Sequence, residues 1–340
     1  MTLNEGAHMG KRLRASIIVA ALVPLATPAT VNGQAGPATW TAPRTPDGQP
    51  DLQGVWLSKS ATPLERPKAL MGRTLLTDEE VAELQARATR LFKDGNSDFA
   101  AGDAVFLAAL GTQERFKSPT STHNSEDMIE REFDRHTSLI VDPPDGRIPP
   151  VTAEAQRRRE SAAIAARREH PEDFDNALRC IAFGVPRLGG RYGAGDYGYY
   201  QIVQTPGYVL LYMETGHEAR IIPLNGRPHV PDSVRLWSGD SRGRWDGQTL
   251  VIETTNFSPR SNFMGSAAGL HLVERLTRVA ADTIRYEMTL SDPTTWMQPW
   301  TAEMPFKQST EKLYEWACHE GNFHIMTGML SAARAQEQRQ

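Results

Sequence analysis

Two histidines carry the strongest chemical suggestion in this chain. His271 and His319 each neighbour apolar residues in runs that read as β-strands, so either side chain can be aimed into a cavity. An imidazole titrates near neutral pH, and with a carboxylate that reaches the same substrate it supplies acid–base catalysis. The candidate carboxylates are Glu320, directly after His319, and Asp240 in the polar loop 239–244. Arg242 of that loop is a clamp for a substrate carboxylate or a developing oxyanion, with Arg244 as a second cationic contact. The expected chemistry is hydrolysis, elimination or isomerisation of a small, partly apolar molecule, with His271 and His319 as base and acid. Each residue also has a plain structural reading. Asp240 sits where a turn favours an Asx side chain, either arginine can simply pair with it, and His271 faces either solvent or a cavity.

Trp296, Trp300 and Trp316, together with Tyr286, form a second signal. A concavity lined by aromatics with a few polar groups is what ligand sites are built from, and His217 would add one such polar contact. On this reading the protein is a non-catalytic binder of a small molecule. The ordinary role of the same aromatics is to fill a β core. A third class, a structural partner of the cell envelope, needs an exposed apolar patch.

Other motifs fall away on inspection. Residues 193–198 spell G-x-G-x-x-G, but a β-like run follows where a dinucleotide fold needs a helix. His319 and His324 are five apart, not four, Gly321 and Asn322 between them disfavour helix, and the run 313–318 before them reads as a strand, so a zinc-protease helix is not expected. No G-x-S-x-G elbow occurs in 238–243. No metal and no cofactor is expected. A formal charge of −4 gives no footprint for nucleic acid. The local basic run Arg157, Arg158 and Arg159 alternates with acids, which suits a solvated helix face ahead of an anionic partner.

The first 35 residues have the order of a secretory signal: Lys11, Arg12 and Arg14, an apolar run over 15–26, then small residues with cleavage expected after Ala35. The apolar run is far shorter than the roughly 20 residues that span a bilayer. Export to the periplasm or beyond is expected, with Met9 as an alternative start and an uncleaved anchor as the alternative fate. Cys180 and Cys318 are the only cysteines, and in an exported chain they are candidates for a disulfide; two separate buried thiols are the other possibility.

The elements that must position these groups fall into two kinds. Residues 36–75 read as an extended arm anchored by Trp56. Thr77 with Glu80 makes a capping box for a helix over 78–93, a short apolar patch at 105–110 suggests another, and Thr152 caps a helix over 153–170. A strand is expected over 133–141. From residue 199 the pattern is β: runs at 199–204, 208–214, 219–223, 249–255, 270–278, 283–290, 300–306 and 313–318, separated by short turns, with Asp246 and Gly247 as the turn before 249–255. Leu272, Glu274 and Leu276 share one face of their strand, as do Ile284, Tyr286, Met288 and Leu290 of theirs. Strands joined by turns without intervening helices predict an antiparallel meander, and closure into a lipocalin-like barrel removes its edges. An open sheet or sandwich with the helices packed on it is the alternative. Residues 76–340 are expected to form one domain, with helical additions over 76–175 and a β-rich body over 176–330.

The phrases RTPDGQPDLQGVW (44–56), VDPPDGRIPP (141–150), QIVQTPGYV (201–209), GDSRGRWDGQTLVIETTNF (239–257), LHLVERLTRV (270–279), DPTTWMQPWTAE (292–303) and YEWACHEGN (314–322) resemble a large family of secreted bacterial proteins usually described as hypothetical. The resemblance implies export and one integrated domain. The family has no established activity, so it assigns no catalytic residue here.

Overall fold

Four residues near the start of the described chain join two halves of one sheet. The computed structural model describes residues 40–92, 102–112, 131–164, 170–174, 176, 179–182, 185, 199–315 and 317–337. The expected signal segment, the glycine-rich loop 193–198 and Trp316 lie outside these residues. The strands are β1 (Gly54–Leu57), β2 (Ile140–Asp142), β3 (Tyr199–Thr205), β4 (Tyr208–Met213), β5 (Glu218–Pro223), β6 (Asp240–Asp246), β7 (Thr249–Thr255), β8 (His271–Ala280), β9 (Thr283–Ser291) and β10 (Trp300–Ser309). β3, β4 and β5 follow one another as one meander and β6 to β10 as another, with the long loop 256–270 between β7 and β8. β1 lies between β3 and β10, so the path runs β5-β4-β3-β1-β10-β9-β8-β7-β6, antiparallel at every step. The expected arm thus contributes a central strand, and its anchor Trp56 is fully buried. Trp56 donates to the Leu52 carbonyl at 2.9 Å and lies under the Arg278 guanidinium at 5.3 Å, which fixes the entry of the strand.

The sheet curls until its two ends nearly meet. β5 and β6 form no ladder, and side chains close the seam instead. Gly243 of β6 has no side chain because none fits: a Cβ there would stand 2.6 Å from Leu224 and 2.8 Å from Ile222. Arg220 of β5 reaches over the seam to Ser241 of β6 at 3.1 Å. The mainly β, antiparallel, nearly closed barrel expected from the sequence is what forms. Strand alternation fills it: Leu250 and Ile252, then Leu272 and Leu276, then Ile284, Tyr286, Met288 and Leu290, then Trp300, Met304 and Phe306 are all buried.

Four helices accompany the sheet: α1 (Asp78–Leu91), α2 (Gly102–Leu110), α3 (Ala153–Ile164) and α4 (Cys318–Glu337). The capping box is present, with Glu80 N donating to Thr77 Oγ1 at 3.2 Å and Thr77 N to Glu80 Oε2 at 2.8 Å. α1 and α2 make a small second core in which Leu84 and Ala88 meet Phe106, and Phe106 stacks on Phe133 at 5.8 Å.

Three expectations need correction. The polar loop expected over 239–244 is mostly strand: Asp240 to Arg244 belong to β6, which pairs with β7 along its whole length and alternates buried and outward positions. None of the described residues of the run 313–318 is in a strand, and α4 begins at Cys318. Gly321 and Asn322 suggested a stop to helix, but Met326, Met329, Leu330 and Ala333 beyond them recur at helical spacing in a stretch of good helix formers. Of the strand expected over 133–141, only β2 forms. The residues before it make single bridges, Glu132 to Ser60 and His136 to Leu75, because they cross other segments and do not run along one.

Candidate functional site

The outer face of the barrel is where titratable groups gather. Arg285 of β9 and Glu303 and Lys307 of β10 project outward, opposite the buried Tyr286, Met304 and Phe306. The segment 131–141 passes over this face and is bound to it by Glu303 N donating to the Leu139 carbonyl at 2.8 Å. Between segment and sheet lies a cleft of about 350 Å³, lined on its polar side by Asp134, His136, Ser138, Arg285, Glu303 and Lys307.

The segment is held firmly. Leu76 N donates to the Arg135 carbonyl at 2.7 Å, and Thr137 Oγ1 donates to the Arg73 carbonyl at 2.6 Å. Asp134 turns the chain locally: its Oδ1 accepts from His136 N at 2.6 Å and stands 3.0 Å from His136 Nδ1. Nδ1 is thereby occupied, and among the described residues Nε2 has no hydrogen-bond partner. The imidazole side chain is 52% exposed, so a substrate can reach it. The hydrogen bond that His136 donates to Asp134 raises its proton affinity, burial opposes it, and the charges of Asp134 and Glu303 add to it. Burial raises the proton affinity of Glu303 in turn; Arg285 opposes that shift, Glu287 adds to it, and His136 opposes it. The two groups therefore share one field. A carboxylate raised above its ordinary range is a better base, and an imidazolium held by a carboxylate remains a usable acid closer to neutrality.

The residues expected from sequence lie elsewhere; Asp240 pairs with Arg242 and Trp296 packs on Trp300, but the set is not gathered at one site. His271 is on the outer face of β8, with Nε2 2.7 Å from Glu253 Oε1 and a side chain 41% exposed. It does not point into the barrel, because Leu272, Glu274 and Leu276 take the inward positions of that strand. His319 and Glu320 are exposed on the first turn of α4, with no strand to aim them inward. Asp240 is buried, accepting from His229 Nδ1 at 2.8 Å, Val230 N at 3.1 Å and Arg242 Nη1 at 2.6 Å; it pins the 228–240 loop to β6. Arg244 is exposed on the outer side of β6, and His217 is exposed in the turn before β5. Trp296 and Trp300 are buried edge to face at 5.6 Å and act as core. The histidines expected as base and acid are thus not brought to one cavity. Cys180 and Cys318 are joined in a disulfide, which ties the start of α4 to the loop before β3.

The inside of the barrel is polar at one place and filled. Arg220 donates to Glu274 at 3.0 and 2.5 Å, and Tyr286 also donates to Glu274. Burial lowers the Arg220 guanidinium's proton affinity, and the charge and hydrogen bonds of Glu274 more than restore it. Burial, then the charge of Glu274, pushes the Tyr286 hydroxyl well above its usual range. The free space beside this cluster is about 20 Å³, room for roughly one water. Small-molecule sites run to several hundred Å³. The cleft outside meets that requirement, and the space beside Arg220 and Glu274, among the described residues, does not. Among the described residues, no group of three or more His, Cys, Asp or Glu side chains is arranged to hold a metal ion, and no helix is long and apolar enough to cross a membrane.

Asp134, His136 and Glu303 were not singled out from sequence. Their one visible sign was an aspartate two residues before a histidine, in a stretch that read simply as strand.

No protein-family model matches the chain. No curated protein matches it either. Among solved structures it is similar to a secretary abundant heat soluble (SAHS) protein from Ramazzottius varieornatus, at 13% identity and a TM-score of 0.23 over 33% of this chain and 70% of that one. It is also similar to a point mutant of the fluorescent protein UnaG, at 13% identity and a TM-score of 0.21 over 33% of this chain and 72% of that one.

Proposed function

We propose that the protein is an enzyme that performs acid–base chemistry on a small, partly apolar organic molecule held in the outer cleft. Glu303 is the base, His136 the acid oriented by Asp134, and Arg285 and Lys307 take up negative charge on the substrate. The reading rests on one observation: His136 and Glu303 line a single cleft of about 350 Å³, each within the electrostatic reach of the other. Hydrolysis, elimination and isomerisation can each be run by a positioned acid and base of this kind. The basic, apolar, small-residue order of residues 1–35 and the Cys180–Cys318 bond support work outside the cytoplasm.

A panel of small esters, lactones and enolisable carboxylates, assayed with the wild type and with His136→Gln and Glu303→Gln, tests it. Turnover that drops by about 10²–10⁴-fold in each variant supports the assignment. Turnover retained in both overturns it. The apolar walls of the cleft, Phe133, Leu139, Val141 and Pro305, favour one second reading, a non-catalytic binder of the same kind of molecule. Saturable binding in the cleft without turnover would decide for that reading.

A further inference from the structure

Two arginines largely withdrawn from solvent are treated differently by this fold. Arg220 is paired with Glu274 inside the barrel. Arg66 is 4% exposed, yet its guanidinium meets only neutral acceptors: Nε donates to Thr137 Oγ1 at 2.9 Å, Nη1 to the Pro144 carbonyl at 2.8 Å and Nη2 to Ser138 Oγ at 3.4 Å. Among the described residues no carboxylate lies within ion-pair distance of it. A guanidinium has five N–H donors, so Arg66 keeps capacity in reserve. A buried charge without a counter-charge is costly; the chain supplies one to Arg220 and none to Arg66.

Arg66 lines a second cleft, of about 670 Å³, between the 63–68 segment and the 262–265 loop. Three more cations line the same space. Arg147 Nη1 donates to the Arg66 carbonyl at 3.1 Å and Nη2 stands 3.6 Å from Glu65. Arg159 of α3 donates from Nη2 to the Met264 carbonyl at 3.0 Å and has no acidic partner among the described residues. Gly265 leaves room for that guanidinium: a Cβ there would stand 3.3 Å from it, at a φ of +92° that side chains rarely adopt. Lys68 is exposed and equally without a partner among the described residues. Arg147, Arg159 and Lys68 thus share the cleft with one carboxylate, Glu65, and the uncompensated charge of Arg66 lies in its wall, turned toward Thr137, Ser138 and Pro144.

We infer that this cleft is a binding site for the oxyanion group of a small molecule, a phosphate or sulfate ester or a multiply charged carboxylate. Planar guanidinium forks match the paired oxygens of such groups, and an ammonium adds a mobile point charge. A small anion is the fitting occupant and a polyanion is not, because the whole chain carries −4. The site is distinct from the His136 cleft, and the inference does not depend on the activity proposed there.

The test is calorimetric titration of the full chain with inorganic phosphate and, separately, with citrate at low ionic strength. Sodium chloride of equal ionic strength is the control. The variant Lys68→Ala/Arg159→Gln removes two exposed cations without disturbing the core, and Arg158→Gln removes a neighbouring arginine that does not line the cleft. Saturable binding by the wild type and by Arg158→Gln, weakened at least about tenfold in the double variant at an unchanged thermal midpoint, is expected. Tighter binding of phosphate points to phosphate or sulfate esters, and tighter binding of citrate to carboxylates. Absence of saturable heat with either anion overturns the inference. So does equal affinity in the double variant, or full replacement of the effect by chloride.

Discussion

Arg220 of β5 and Glu274 of β8 meet at 2.5 Å inside the barrel, between strands far apart along the sheet path. The same guanidinium donates to Ser241 of β6 and Thr254 of β7 at 3.1 Å each. One side chain therefore spans the seam that the backbone leaves unladdered. Removing one member of a buried pair strands the other charge. Arg220→Met is expected to cost about 3–5 kcal/mol in urea unfolding, and Arg220→Met/Glu274→Leu to recover part of that loss. A single variant that is neutral would show that the seam is held by other contacts.

The seam also depends on the absence of a side chain. Gly243→Ala places a methyl group 2.6 Å from Leu224 and 2.8 Å from Ile222, both of β5 or its continuation. Overpacking of this kind costs about 1–3 kcal/mol. Denaturant unfolding measures it, and no change in midpoint would mean that β5 moves away freely.

The pH profile of any turnover follows from two proton affinities raised in the same direction. Glu303 must be ionised and His136 protonated, so the rising limb lies above the ordinary 4.5 of a glutamate and the falling limb above the ordinary 6.5 of a histidine. Asp134→Asn removes the main support of His136 and is expected to move the falling limb to lower pH. A profile that ignores this substitution would remove His136 from the acid role.

Stability obeys the same signs. Both groups bind their proton more tightly folded than unfolded, so the folded state holds more protons and stability falls as pH rises. The stabilisation tied to His136 is complete below 6.5 and disappears as pH passes its raised value, and the contribution of Glu303 fades from 4.5 upward. Glu303→Gln is expected to flatten the lower part of that slope, read from thermal midpoints across pH. Parallel curves for variant and wild type would show that Glu303 titrates normally.

The Cys180–Cys318 bond closes a separation of 138 residues. In the chain-entropy account a loop of this size stabilises by at most about 5 kcal/mol. Cys180→Ala/Cys318→Ala is expected to lower the unfolding midpoint and to open α4 to limited proteolysis ahead of the barrel. Equal protease resistance would mean that packing, and not the bond, holds the helix.

The sequence was most legible where the information is local. Alternation in β8 and β9, the turn at Asp246 and Gly247, and the Thr77–Glu80 capping box all depend on residues within a few positions of one another, and all appear as expected. α4 was misread because Gly321 and Asn322 weighed more heavily than the helical spacing after them. Alternation also placed His271 opposite Leu272 correctly, without saying which face would be enclosed.

By itself, then, the sequence determined a mainly β, antiparallel body, most of its strands, the two faces of β8 and β9 and a pair of cysteines suited to bonding, while β1 and β6 read as arm and loop. Tertiary structure alone decided that β1 joins the two meanders, that Arg220 closes the seam, and that the segment around His136 covers Glu303. The physical reason is that a period of two residues defines two faces of a strand but carries no record of what crosses them. Asp134 and His136 share a cleft with Glu303 only because a distant, non-repeating segment packs across the outside of β9 and β10.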